Sequence, residues 1–360
     1  MQGIRLQQVK EATRQIIDYL EPEDTLSLVV FSDKAEVLLP GQTNVDKALA
    51  KSIASTIQPS GGTEMLQGLL TGLQEIQANR TDMSVNHVIL LTDGRTYGDD
   101  EECLKQAEWA GLNQISLTTM GIGADWNEDL LEKMADVSGG NSTYINTPRR
   151  IVESFKATVR ELSTIVAREV SLEMNLAENV LLHEAFQIAP HIRRLEINDD
   201  NILALGPLGT NNRKIIVLEL RITHASPGTL QLMQLNIMGD VPTQARQSSA
   251  NRIDITVDVT DDPEMEEEVI PPVIITALGK LAIFKMQEKA MHDMASGNII
   301  AATQRLETMA TRLLNLGETE LARAALLEAG RLARTGSLSS EGRKKIRYGT
   351  RSLSILPKEL

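Results

Sequence analysis

Two short stretches place oxygen-bearing side chains where a folded chain could gather them. Ser60-Gly61-Gly62-Thr63 delivers a hydroxyl to the start of a helical pattern, and the apolar run His87–Leu91 ends in Thr92-Asp93-Gly94. A hydroxyl and a carboxylate are hard oxygen donors, the type a magnesium ion accepts while keeping several waters. Taken singly, each has a structural use. Thr63 is a good helix N-cap, and Asp93 before a glycine can close an Asx turn.

Other candidates carry less chemistry. The histidines at 87, 183, 191, 224 and 292 fall in different elements without a close ligand pair, which gives no basis for a metallohydrolase. Gly121-Ile122-Gly123 lacks the third glycine of a dinucleotide fingerprint. Ser32 and Asp33 read as turn formers, and Cys103, with only Lys105 as a nearby base, reads as an inert thiol.

The elements that must position Thr63 and Asp93 follow from periodicity. Helical spacing over 3–20 precedes two short strands, "TLSLVVFS" and "AEVLLPG", around a Ser-Asp turn. A helix capped by Asn44 follows, then helices over 64–79, 99–111 and 148–165 and one in "NEDLLEKMADVSGG", alternating with strands at 86–92, "QISLTTMGIG" and "STYIN". Such alternation, with fully apolar strands, predicts an α/β unit with a mostly parallel sheet flanked by helices over 1–165. Loops at the carboxyl ends of such strands form the ligand crevice, and both Thr63 and Asp93 belong there.

From 166 to 262 the period changes to two, which predicts an antiparallel β-sandwich. The charge- and proline-rich stretch "DDPEMEEEVIPP" marks a boundary. Residues 270–340, rich in Ala, Leu, Met, Glu, Arg and Lys and broken at "SGN" and "LGETE", read as a three-helix region, and 341–360 as a basic tail exposed to solvent.

Composition bounds the function. The chain has 360 residues, 42% of them hydrophobic, and a net charge of −13, which opposes general binding to nucleic acid or an anionic membrane. A single cysteine excludes an internal disulfide, and no apolar run approaches about 20 residues. A cytoplasmic protein is the expectation.

The segments "FSDKAEVLLP", "PSGGTEMLQGL", "HVILLTDG" and "MGIGADWNEDLLEKMADVSGGNSTYI", in this order, together resemble a von Willebrand factor type A (VWA) domain over about 1–165. The resemblance implies a Rossmann-like fold and a metal-ion-dependent adhesion site built from an Asp-x-Ser-x-Ser motif, a threonine and an aspartate. By that likeness Thr63 and Asp93 are metal ligands. The Asp-x-Ser-x-Ser motif is missing, because "MQGIRLQQVKEA" begins where the motif should have ended. Three of five expected ligands are then absent, and magnesium binds weakly or not at all.

The first strand, central in that family's sheet, is missing with the motif. Its neighbours lose roughly ten backbone hydrogen bonds at ~1 kcal/mol each, comparable with the ~5–15 kcal/mol stability of a domain. The expectation is that the native polypeptide begins upstream of Met1. Functionally the resemblance implies a protein-interaction or scaffold protein whose partner offers an acidic side chain, with no catalysis. Two alternatives are a metal-dependent hydrolase or phosphoryl-transfer enzyme using Asp93 with Asp99, Asp100 or Asp125, and a structural subunit with a vestigial site.

Overall fold

The computed structural model describes residues 1–81, 84–210, 213–241, 251–261 and 269–353, which fall into two compact units, Met1–Ile165 and Val166–Leu360. The first unit runs α1 (Ile4–Tyr19), β1 (Leu26–Phe31), β2 (Ala35–Gln42), α2 (Lys47–Thr56), α3 (Met65–Asn79) and β3 (Asn86–Thr92). It continues with α4 (Asp100–Leu112), β4 (Ile115–Ile122), α5 (Glu128–Val137), β5 (Asn141–Ile145) and α6 (Arg149–Ser163).

Strands β3, β4 and β5 form a parallel sheet in that order, with helices on it. β4 is buried at every position, so its polar side chains must find partners inside the protein. Thr119 does so by donating to the Leu131 carbonyl at 2.9 Å and pairing with the Ser142 hydroxyl at 2.9 Å. The hairpin β1–β2 is antiparallel and hydrogen-bonded as a separate two-stranded sheet. Thus the sheet is in two pieces, and every residue of β1 is only half-buried. The α2 cap differs from the sequence reading. Asn44 takes a left-handed turn (φ 47°), and it is Asp46 that accepts from the Ala48 and Leu49 amides.

The second unit begins with β6 (Ile165–Leu176), whose first residue closes the first unit, followed by β7 (Val180–Ala189), β8 (Arg193–Leu195) and β9 (Ile202–Gly209). Next come β10 (Ile215–Ile222), β11 (Gly228–Asp240) and β12 (Asn251–Val259). Two sheets result, ordered β12-β11-β6-β9 and β10-β7-β8. Val170, Leu172, Met174, Leu203 and Met233 from the first and Ala185 and Leu195 from the second share one apolar cluster. The boundary stretch "DDPEMEEEVIPP" lies largely outside the described residues.

Four helices complete this unit: α7 (Pro272–Ala295), α8 (Ile299–Asn315), α9 (Thr319–Thr335) and α10 (Ser340–Arg351). α7 packs on the three-stranded sheet, where Phe284 meets Phe186 edge-on at 6.4 Å between ring centroids. Arg194 and Lys285 each stand 4.8 Å from the Phe186 ring centroid and both bind Glu184. Burial opposes ionisation of Glu184, but the bonds from Lys285 and Arg194 outweigh it and hold the carboxyl down at about 2.

The expected basic tail is corrected by the structure. Residues 340–351 form α10, started by the Ser339 hydroxyl accepting from the Gly342 amide at 2.9 Å, with Glu328 of α9 accepting from Ser339. Its apolar residues were sparse in the sequence but fall on one face, and Ile346, with Leu353 just beyond, joins the core of the other three helices. Residues 354–360 of the expected tail lie outside the described residues.

His87 of β3 is held by the Ser116 and Thr118 hydroxyls of β4 at 2.7 and 2.9 Å, and burial pushes its pKa from 6.5 down to about 4. Between those values the unfolded chain binds the proton that the folded chain refuses, so stability falls as pH drops through this window. Both tryptophans, Trp109 and Trp126, lie in the first unit and report its unfolding alone. Urea unfolding followed by tryptophan fluorescence should lose about 2 kcal/mol between pH 6.5 and 4, and His87→Gln should flatten that slope.

Candidate functional site

The loop after β1, the loop before α3 and the loop after β3 meet at one end of the first unit. The Ser32 carbonyl accepts from the Glu64 amide at 2.7 Å, and a Cβ added to Gly62, at φ 79°, would overlap the Asp33 carboxylate. Across from them, a Cβ added to Gly94 would stand 2.7 Å from the Thr63 hydroxyl. Only glycine admits the threonine there, and Asp93 is the next residue back. Thr63 and the Asp93 loop are therefore neighbours.

Neither residue performs its simple structural role. Thr63 does not cap α3, whose Leu66 amide instead donates to Asp99 Oδ2 at 3.2 Å. Nor does the Asp93 side chain close its own turn. The Thr92 hydroxyl does so, accepting from the Gly94 amide at 3.2 Å and donating to the Gly94 carbonyl at 3.0 Å. Asp93 is left to face two cationic groups: the Met1 ammonium 3.3 Å from Oδ1 and the Arg5 guanidinium 3.8 Å from Oδ2.

Thr63 and Asp93 together offer a cation two oxygen-bearing side chains. One carboxylate and one hydroxyl leave most coordination to water, and the positive groups beside Asp93 oppose a second positive charge. The carboxylates that a hydrolase would need nearby are committed elsewhere or stand in solvent. Asp99 accepts from Thr96 and Leu66, Asp100 accepts from Asn127 at 3.0 Å, and Asp125 is exposed. Cys103 is buried, and burial first, then Asp99, Asp100 and Glu102, push its thiol up to about 12, so it carries no thiolate at neutral pH. Gly121 is the floor for the Trp126 ring, whose indole N–H donates to the Gly123 carbonyl at 2.7 Å.

Sequence reasoning missed one grouping. His183, Glu184 and Glu219 bring ligand atoms within 4.8 Å of one another across β7 and β10. Residues far apart in sequence meet there only through the register Glu184↔Glu219. Lys285 already bridges both carboxylates, so the cluster is a neutralised ion-pair network.

Comparison with known proteins agrees with this geometry. A family model described as von Willebrand factor type A domain matches residues 1–144, and a second, the Sll0103-like C-terminal alpha-helical domain, matches 272–355. The chain carries a VWA domain. The uncharacterized protein sll0103 of Synechocystis is 28% identical over 96% of this chain and 84% of its own length. Inter-alpha-trypsin inhibitor heavy chain H4 of Bos taurus is 33% identical over 47% of the chain, which spans only 20% of that protein. Among solved structures, a von Willebrand factor type A protein from Catenulispora acidiphila shares the fold at a TM-score of 0.78 with 17% identity, covering 97% of this chain and 85% of that one.

VWA domains typically mediate protein–protein interaction and can bind a divalent metal. Among the described residues, no helix is long and apolar enough to cross a membrane.

The approach of Thr63 to Gly94 makes a direct demand on the loop. Gly94→Ala should force the two loops apart and cost the first unit about 1–3 kcal/mol in urea unfolding followed by tryptophan fluorescence. Thr63→Ala combined with Gly94→Ala should recover most of that loss.

Proposed function

We propose that residues 1–165 act as a protein-interaction domain and that the rim around Thr63 and Asp93 is its contact surface. Thr63 and Asp93 are two ligands of a divalent-metal-dependent site, magnesium being the expected ion. The observation that supports this most is the contact of the Thr63 hydroxyl with Gly94, because it brings two distant loops together with a carboxylate beside them. When bound, the cation supplies the positive charge that takes an acidic side chain of the partner. The chain's own residues position two oxygens for it.

Arg5 and the Met1 ammonium balance the Asp93 charge. Binding and scaffolding, without catalysis and in the cytoplasm, is the role this reading assigns, with the second unit available to orient the domain or to recruit further protein. The hydrolase reading is not favoured, because Asp99 and Asp100 accept hydrogen bonds from neighbouring groups. A structural subunit with a vestigial site is distinguished by metal-independent capture of its partner.

Manganese titration followed by electron paramagnetic resonance tests the site without needing the partner. The 360-residue chain should bind Mn2+ no tighter than about 1 mM. Arg5→Ala should tighten binding several-fold by removing a competing charge, and Asp93→Ala should abolish it. Tight binding that survives Asp93→Ala would sink the assignment.

A further inference from the structure

β12 is the least covered strand of the second unit. Seven of its nine residues are exposed, and among the described residues it pairs only with β11, so its other edge has no strand partner. It is nevertheless apolar on one face. Ile255 lies opposite Met233 and packs against the sandwich core, and alternation puts Ile253, Val257 and Val259 on the same side. Ile253 remains 44% exposed and Val257 39%, so the apolar face of this sheet runs on to a row of side chains that the core leaves open.

Sheet edges normally carry devices that stop a further strand from adding. The other edges of this unit have them. β8 is three residues long, and β9 holds Pro207 and a left-handed Gly206. β10 is covered on both faces, Ile215 and Val217 by the core of the helices and Ile216 and Leu218 by that of the sandwich. β12, "NRIDITVDV", has no proline, glycine or lysine, and its charges, Arg252, Asp254 and Asp258, all sit on the face opposite the isoleucines.

We propose that β12 is a self-association edge, which takes β12 of a second copy of this chain as its antiparallel neighbour about a two-fold axis through Ile255. The order of residues selects both this occupant and its register. Paired end to end, Arg252 meets the second copy's Asp258, Ile253 meets its Val257 and Ile255 meets its own equivalent. The two-fold axis makes each of the first two contacts twice, so opposite charges pair on one face while the open apolar row closes on the other. Displacement by two residues destroys the match: one direction sets Asp254 against Asp254, the other sets Asp254 against Asp258, and like charges directly opposite oppose pairing. A slip by one residue lays the apolar face of one copy beside the charged face of the other. In the matched register the two four-stranded sheets become one continuous sheet, joined by about eight to ten main-chain hydrogen bonds.

Sedimentation of the 360-residue chain in about 0.15 M salt, where repulsion between two copies of net charge −13 is largely screened, tests this. Monomer and dimer should exchange with a Kd of about 1–100 µM, as suits a small interface. Arg252 and Asp258 are both exposed, the first 3.7 Å from Asp254 and the second accepting from the Thr229 hydroxyl, so neither is needed by the core. Arg252→Asp and Asp258→Arg should each weaken the dimer roughly 10-fold or more with circular dichroism unchanged, because each sets like charges opposite one another on both sides of the axis. An equimolar mixture of the two variants should recover dimer, as a heterodimer in which both pairs are again opposite in charge. Amide hydrogen exchange in Asn251–Val259 should slow about 10-fold as dimer forms, while Ile202–Gly209 keeps its rate.

A chain still monomeric at about 1 mM overturns the proposal. So does a dimer indifferent to both substitutions, a mixture of the two variants that does not reassociate, or a dimer in which Asn251–Val259 stays unprotected. Protection of that strand only on adding a different polypeptide also overturns it, since the occupant is then not a second copy. None of these readouts involves Thr63, Asp93 or a metal, so the rim reading and this one stand or fall separately.

Discussion

A backbone amide or carbonyl taken out of water must find a partner, and in a sheet covered on both faces that partner is the neighbouring strand. The first unit is organised by this requirement. β4 meets it on both edges, and the helices α4 and α5 can therefore pack over it and bury it completely. Among the described residues β1 and β3 each pair on one edge, and most of their residues are half-buried. The hydrophobic clusters divide along the same line. One gathers residues of β4, β5 and α6 with Ile89 and Leu91 of β3 against them, the other residues of β1, β2 and α2, and α1 is the element common to both.

The charge at the end of the sheet obeys a related rule. A carboxylate between loops is stabilised by opposite charge nearby, and for Asp93 that charge comes from Arg5 in α1 and from the Met1 ammonium. A Cβ on Gly123 would stand 2.9 Å from the Arg5 guanidinium, so the loop after β4 also shapes the place where Arg5 sits. The helix that bridges the two pieces of sheet thus also supplies a cation to the loop between them. Electrostatics and packing of α1 are not independent.

Much of this was legible in the sequence where one physical effect dominates. Alternating apolar strands and helices over 1–165 predicted the α/β unit, and the Gly-Gly-Thr and Thr-Asp-Gly turns predicted which loops would meet. Features set by competition were harder to read. Asn44 and Asp46 are both good caps, and only the backbone path selects Asp46. In β7, "VLLHEAFQIA", alternation is lost over the second half, where Ala185–Ala189 are buried in succession. α10 read as a tail because its few apolar residues are outnumbered by basic ones. Lys344, fully buried in it, shows how far burial departs from residue type. The partners of Asp93 were out of reach altogether, since nothing in the spacing of Met1, Arg5 and Asp93 connects them.

The loops that follow β1 and β3 meet at the Thr63–Glu64 segment and at Gly94, beside the Asp93 carboxylate. The cationic groups facing that carboxylate are Met1 and Arg5, at the start of α1. Further along the same helix Ala12 and Ile16 enter one apolar cluster and Ile17 the other. The packing that anchors α1 therefore also fixes where Arg5 stands, so the charge balance of Asp93 is set by apolar contacts about two to three turns away.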